Sequence, residues 1–251
     1  MDYKLLLDSV VMAGEVMLRS GAETWRVEDT MLRMLRMSKL KTAQVFAMTT
    51  GFTVTLDDPS MDSLTVVRRI ENRSMNLERV DQSNKISRNF CCGELTVEEM
   101  FRAVKKIYRE PGDTKAHLPG YMILTAGFTL MLGAAVSDAA IAAVAGIISG
   151  FGVWCCRKVG LHVFLVNAIG AFLIGMTAIL CTDMLPGNFD LHSIIIGSIM
   201  PLVPGVAITN AVYDTLHGDY ISGAARMLEA FVTAAAIGIG VGIAMALLQV
   251  M

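Results

Sequence analysis

The sequence predicts a membrane α-helical protein with five transmembrane helices, the fourth of them broken, and an N-terminal cytosolic α+β domain. Hydrophobic residues make up 54% of the 251 positions, yet 18 of the 21 Lys and Arg residues precede Leu118. After Leu118, apolar segments follow one another with short connections, and about 20 apolar residues suffice for a helix to cross the hydrocarbon core. We therefore divide the chain into a soluble domain, residues 1–115, and a membrane domain, residues 116–251.

The soluble domain combines two hydrophobic patterns. Apolar residues at helical spacing lie on both sides of a central stretch that is rich in β-branched and aromatic residues and is interrupted by Gly51 and Pro59, which favours an antiparallel sheet between helices. Basic and acidic residues are nearly balanced, so no nucleic-acid partner is expected. The predicted elements are helices at residues 3–20, 24–37, 76–89 and 96–109, and strands at residues 44–48, 52–56 and 63–67.

The membrane domain is oriented by its few basic residues. The first span is preceded by Lys105, Lys106, Arg109 and Lys115, whereas the only charged residues in the two loops predicted to lie outside are acids. Cytosolic loops are enriched in Lys and Arg, so we expect the N-terminus inside a bacterial cytoplasmic (inner) membrane and the C-terminus outside. The predicted spans are residues 118–137, 139–156, 161–181, 193–213 and 221–248, with the first connection at Asp138.

The fourth span has Pro201, Pro204 and Gly205 at its midpoint. Proline removes a backbone donor and clashes with the preceding turn, and in transporters such broken helices hold the substrate. A half-helix that starts at Pro204 leaves the amides of Gly205, Val206 and Ala207 unpaired at its positive end. These amides suit a carboxylate, so we predict that a small carboxylate-bearing substrate binds at this break.

Polar residues follow the break. Thr209 and Asn210 are candidates for orienting the substrate, since polar groups inside a span usually face a bundle interior or a water path. Asp214 is a candidate for coupling or gating, or alternatively a surface residue at the cytosolic end. Arg226 and Glu229, three residues apart in the fifth span, could form a local ion pair or bind substrate and relay protons.

Other polar positions have plainer interpretations. Asn167, a lone amide in the third span, suggests a hydrogen bond between helices rather than a ligand. The five cysteines show no CxxC spacing and the four histidines fall near membrane ends, so neither a metal nor another cofactor is expected. No nucleotide-binding or hydrolase motif occurs.

Small residues recur at four-residue spacing in two spans, and such ridges let helices approach closely in a membrane. They predict either tight packing within this chain or a seam with a partner, which could be a second copy in a homo-oligomer or a different subunit. The ridges are Ala142, Gly146 and Gly150 in the second span, and Ala234, Gly238 and Gly242 in the fifth.

Two stretches resemble the signatures of the threonine/serine exporter family. Gly21-Ala-Glu-Thr-Trp-Arg-Val-Glu28 is similar to its N-terminal pattern, and Leu202-Val-Pro-Gly-Val-Ala-Ile-Thr-Asn-Ala211 is similar to its membrane pattern. By this resemblance the N-terminal motif includes Glu23, Thr24, Arg26 and Glu28. The membrane motif includes Pro204, Gly205, Thr209, Asn210, Asp214, Arg226 and Glu229.

The resemblance implies an exporter of threonine and serine, not an enzyme. Full-length members have a second membrane half, so this chain resembles the split, two-component form, whose larger subunit in a bacterial succinate exporter works with a small membrane subunit. That form implies a dicarboxylate such as succinate. Two alternatives stay open: an enzyme that uses the cytosolic domain on a membrane anchor, and a non-transporting accessory subunit.

Overall fold

The computed structural model describes residues 2–71, 73–110 and 117–249, with side chains described up to Leu247. Contacts divide the chain into two units. The first consists of Met1–Gly112 and Ile208–Met227, and the second of Asp113–Ala207 and Leu228–Met251. The domain boundary predicted from the sequence, between residues 115 and 116, lies outside the described residues, and so does Lys115. Residues 208–227, which the sequence assigned to the membrane domain, group by contacts with the N-terminal residues.

The first unit contains the expected helices and a three-stranded sheet. Asp2 caps the first helix by accepting from the Leu5 amide at 3.0 Å, and Thr96 and Glu99 form the predicted capping box. The strands are antiparallel in the order β1-β2-β3. The elements are α1 (Tyr3–Arg19), α2 (Thr24–Arg36), β1 (Thr42–Met48), β2 (Gly51–Asp58), β3 (Met61–Arg69), α3 (Leu77–Cys91) and α4 (Val97–Arg109).

One face of the sheet covers the core of this unit. Phe52, Val54 and Leu56 alternate along β2 and are buried, as expected for a strand with one face inward. They belong to a cluster with side chains of α1 and α2, among them Met17 and Met31. Packing of both helices against the sheet therefore fixes the position of the α1–α2 turn.

The second unit is built from apolar helices. Within the described residues, three helices are long and apolar enough to cross a membrane, or four if a bent pair counts as one span. They are α6, α7 and α10, and the bent pair contains α8 and α9. The helices are α5 (Leu118–Met131), α6 (Val136–Lys158), α7 (Val163–Met184), α8 (Leu191–Ile199), α9 (Gly205–Leu216) and α10 (Tyr220–Gln249); residues 208–227 of the last two belong to the first unit.

The first two predicted spans are separated at a different position from the one predicted. Helix α5 has 14 residues, which corresponds to about 21 Å, shorter than the roughly 30 Å hydrocarbon core. It ends before Gly133, whose φ is +84°. Asp138, predicted to be the connection, instead lies in the first turn of α6 and accepts from the Ala135 amide at 3.1 Å. The boundary at Asp138 was wrong, and the count of five spans stays a prediction.

The break in the fourth predicted span is confirmed. Helix α8 ends at Ile199 and a short 3₁₀ turn follows at Met200–Leu202. Val203 is extended, with ψ of 129°, because the residue before a proline avoids the helical region. The helical segments Leu191–Leu202 and Gly205–Leu216 are bent by 57°.

The two small-residue ridges have different surroundings. In α6, Ala142 is buried, and a Cβ added at Gly150 would lie 2.9 Å from the Cγ atom of Tyr121 in α5. The α6 ridge therefore serves packing within the chain. In α10, by contrast, Gly238 is exposed, and a Cβ there meets no described atom within 4 Å.

Candidate functional site

The turn between α1 and α2 meets the α9–α10 hairpin within the first unit. Helix α1 ends at Arg19, and Gly21 adopts a φ of +85°, which glycine tolerates without a Cβ penalty. The following residues enter α2 at Thr24. This turn exposes the carbonyls of Gly21 and Ala22 and the first amide of α2 to side chains from residues 208–227.

Asp214 and Arg226 form a buried ion pair in the hairpin. Arg226 Nε lies 2.8 Å from Asp214 Oδ2, and the two side chains are 6% and 0% exposed. The sequence left open an ion pair of Arg226 with Glu229 and a surface position for Asp214. The surface position was wrong, because the Asp214 carboxylate is fully buried and contacts Arg226; the pairing of Arg226 with Glu229 stays a prediction.

Thr24 anchors the same carboxylate from the other side. Its amide donates to Asp214 Oδ1 at 2.9 Å, and its hydroxyl donates to Oδ2 at 3.3 Å. Glu23 precedes α2 as its N-cap but makes no capping hydrogen bond with its side chain among the described residues. Asp214 therefore caps α2 from 190 residues away, where a negative charge is stabilised by the helix dipole.

Two more hydrogen bonds tie the hairpin to the turn. Arg226 Nη2 donates to the Ala22 carbonyl at 2.7 Å, and Asn210 Nδ2 donates to the Gly21 carbonyl at 2.9 Å. Asn210, like Asp214, is buried. Since helical neighbours four residues apart share a face, both residues point from α9 toward the same turn. We call Gly21–Thr24, Asn210, Asp214 and Arg226 the motif junction.

An aromatic pair and a second ion pair flank the motif junction. The rings of Trp25 and His217 stack with centroids 4.4 Å apart and planes at 5°. Arg26 lies 5.5 Å from the centroid of the Trp25 ring and 2.8 Å from Glu23. The Trp25 Nε1 atom is buried and makes no hydrogen bond to a described residue.

Glu28 lies one turn further along α2. Its carboxylate accepts from the Ala47 amide in β1 at 2.6 Å. Burial raises the pKa of the Glu28 carboxyl above its usual value, against the Ala47 hydrogen bond, and the carboxylates of Asp219 and Asp214 raise it further. Glu28 thus joins α2 to the sheet.

The remaining predicted site residues lie outside the motif junction. Gly205 and Val206 are exposed at the start of α9. The Gly205 amide donates to the Val203 carbonyl at 2.8 Å, so the expectation that it is unpaired was wrong. Asn167 is buried in α7, as expected. The other residues around the break have intermediate or high exposure, namely Pro201, Pro204, Ala207 and Thr209, and Glu229 in α10 is exposed.

Sequence reasoning missed the roles of Ala22, Trp25 and His217. Ala22 acts through its carbonyl, which no side-chain pattern reveals. Trp25 lies inside the N-terminal motif, and His217 lies in the turn just after α9, three residues beyond Asp214, so proximity to the motifs was the available signal. Among the described residues, no group of three or more His, Cys, Asp or Glu side chains is arranged to hold a metal ion.

Comparison with known proteins assigns the family. The family profile described as "Putative threonine/serine exporter" matches residues 8–248. The chain belongs to the threonine/serine exporter family. Membership of this family and the apolar helices both indicate a membrane protein.

A curated relative is similar over most of this chain. "Probable threonine/serine exporter" from Mycobacterium tuberculosis (strain ATCC 25618 / H37Rv) is 22% identical over 240 residues, which cover 94% of this chain and 45% of the relative. The chain thus spans about half the length of the relative it matches. No solved structure matches the chain significantly. Within this family member, both signature-like stretches contribute side chains or carbonyls to the motif junction.

Proposed function

We propose that this chain is one subunit of a secondary-active exporter for a small carboxylate-bearing metabolite. The candidate substrates are threonine and serine, or a dicarboxylate such as succinate, and an ion gradient, most simply of protons, drives their export. The observation that carries the proposal is the 57° break within an apolar segment long enough to span a membrane. Irregular backbone at membrane depth is tolerated where it lines a cavity or packs in protein.

The break supplies the substrate site in this proposal. The amides of Val206 and Ala207 lie in the first turn of α9, where helical amides lack intrahelical partners and the dipole is positive. A substrate carboxylate binds there, with Pro201, Pro204 and Gly205 shaping the backbone. Thr209 orients the rest of the molecule, whereas the Asn210 side chain donates to the Gly21 carbonyl and belongs to the motif junction.

The motif junction supplies the gate. Helix α9 begins at Gly205 and contains Asp214 nine residues later, about 14 Å along its axis. In this gate the bonds of the buried Asp214–Arg226 pair to Thr24 and Ala22 break and re-form during transport. Glu229, one turn beyond Arg226, is a further candidate for coupling.

A second membrane subunit completes the transporter. The described part of α10 exposes apolar side chains such as Phe231 and Ile239. The α10 ridge of Ala234, Gly238 and Gly242 is exposed as well, and small residues allow close helix contact in lipid. We assign this face to the partner, with lipid around the remainder.

The orientation follows from the basic residues. Lys105, Lys106 and Arg109 lie before α5, and Arg157 and Lys158 end α6. The positive-inside rule puts both groups in the cytosol of a bacterial cell, which requires α5 and α6 both to cross. With the bent pair counted as one span, five crossings bring the C-terminus outside.

Export by loaded cells tests the proposal. Cells that produce this chain together with a candidate small membrane subunit are loaded with labelled threonine, serine or succinate, or with threoninol, which lacks the carboxylate. We expect faster efflux than from vector-only cells for at least one acid and none for threoninol. Equal efflux of threoninol contradicts carboxylate recognition, and a chemically altered product in place of efflux supports the membrane-anchored enzyme.

A further inference from the structure

The outer strand of the sheet in the first unit has an open edge. Strand β3 has nine residues and pairs with β2 on one side. On its other side, no described strand is hydrogen-bonded to it. Such an edge is a template for another strand, and proteins commonly block it with proline or with charged side chains. β3 contains no proline or lysine, and its charged residues, Asp62, Arg68 and Arg69, are of both signs.

The sequence of β3 is complementary to itself when read in the opposite direction. If two copies pair antiparallel about Thr65, the midpoint of Met61–Arg69, each Asp62 lies opposite Arg68 of the other copy. On the same face, each Leu64 lies opposite Val66. Asp62 and Arg68 are exposed, while Leu64 and Val66 are only partly buried at the edge of the core.

The matching of charges selects this register. Side chains alternate between the two faces of a strand. A shift in register that leaves each side chain on its own face therefore moves the partner of every residue by two positions. A shift in one direction puts Asp62 opposite Val66, and a shift in the other puts Arg68 opposite Leu64. The register that uses the full length of β3 is therefore also the register that pairs its charges.

We propose that β3 pairs antiparallel with β3 of a second copy of this chain, joining two three-stranded sheets into one of six strands. Each hydrogen-bonded residue pair exchanges two bonds, so nine paired residues form roughly 8 to 10 new backbone hydrogen bonds. Opposite charges across strands stabilise the pair, whereas like charges opposite each other destabilise it. The contact covers Leu64 and Val66 and brings the exposed Val67 beside Ser63 of the other copy.

Exchanging the charges of Asp62 and Arg68 tests the pairing in the full-length protein. Two copies of the chain that carry different affinity tags are produced in one cell. Asp62→Arg or Arg68→Asp alone should reduce co-purification of differently tagged copies, because each puts like charges opposite each other. Co-production of the Asp62→Arg chain with the Arg68→Asp chain should restore it, as should the double variant in both copies. Single variants that co-purify like the wild type, or exchange variants that fail to restore association, overturn the proposal.

Cross-linking tests the register independently. Oxidation of membranes containing the Thr65→Cys chain should give a covalent dimer, because paired Cα atoms lie about 4.5–5.5 Å apart, within disulfide range. The wild-type chain under the same oxidant gives the background from its five native cysteines. The Gln44→Cys chain is the matched control, since Gln44 lies in the same cross-strand row on β1 and is exposed. Equal dimer from Gln44→Cys, no dimer from Thr65→Cys, or a cross-link from Thr65→Cys to another protein contradicts the pairing.

Discussion

At the scale of single residues, Asp214 determines how the two sequence motifs meet. Its carboxylate accepts hydrogen bonds from the amide and hydroxyl of Thr24 and contacts the guanidinium of Arg226. Moving a carboxylate out of water is costly unless it is paired and hydrogen-bonded. The three contacts meet that requirement, so the pair holds the α1–α2 turn against the hairpin only while all of its members are present.

Removal of one member of the pair should destabilise the protein strongly. Arg226→Ala leaves the Asp214 carboxylate buried without its counter-charge, and Asp214→Ala leaves the Arg226 guanidinium buried without its counter-charge. Breaking a buried ion pair from one side costs about 3–5 kcal/mol. We expect either variant to lower the midpoint of thermal unfolding of the purified protein in detergent, and the double variant to lower it by less than the sum.

An exposed ion pair provides the control for that experiment. Arg33 and Asp29 in α2 approach to 2.8 Å, but their side chains are 67% and 45% exposed, and exposed pairs contribute little. Asp29→Ala should leave the midpoint close to that of the wild type. If Asp214→Ala has an equally small effect, the structural role of the motif junction is refuted.

The sequence predicted several residues of the motif junction, but not which of them contact each other. Sequence reasoning selected Asp214, Arg226 and Asn210 because charged and polar groups in membrane spans are costly and therefore informative, and it selected Thr24 through the resemblance of the N-terminal stretch to the exporter family. It did not predict the pairing of Arg226 with Asp214, since for Arg226 it considered only Glu229, a neighbour on the same helix. The observed contacts span about 190 residues, and periodicity carries no information about contacts at that separation.

At the scale of elements, local signals predicted most helices and strands. The capping box at Thr96 and the alternation in β2 produced the expected α4 and β2. The error between the first two spans has a physical cause: Leu132–Ala135 is as apolar as its surroundings, and only Gly133 with its positive φ interrupts the helix. Hydropathy alone cannot distinguish such a turn from a continuing span.

We expect the break between α8 and α9 to depend on Pro204. In Pro204→Ala, Val203 is no longer excluded from the helical region and the missing amide is restored, so α9 can extend toward α8. We expect export per unit of membrane-inserted protein to fall roughly tenfold or more, since small displacements of binding groups have effects of that size. Pro119→Ala is the control, because Pro119 lies in the first turn of α5, where proline is tolerated. Unchanged export in Pro204→Ala refutes a role for the break.

At the scale of the whole molecule, the short helix α5 determines the topology. If α5 crosses together with the three long helices and the bent pair, the number of crossings is odd; if it does not, the number is even. We expect alkaline phosphatase fused after Met251 to be active and a fluorescent protein fused there to be dark, because both report a C-terminus outside. The opposite pattern contradicts five crossings.

In the proposed mechanism, export depends on the motif junction. The most direct measurement is the efflux of labelled succinate and threonine from loaded cells that produce the Asp214→Asn chain with its partner, normalised to the amount of protein in the membrane. Asn keeps the shape of the side chain but removes the charge that faces Arg226, and Asp29→Asn controls for loss of an exposed acid. We predict that efflux falls to the vector level in Asp214→Asn and is unchanged in Asp29→Asn. Efflux at the wild-type rate from Asp214→Asn would contradict the proposed gate.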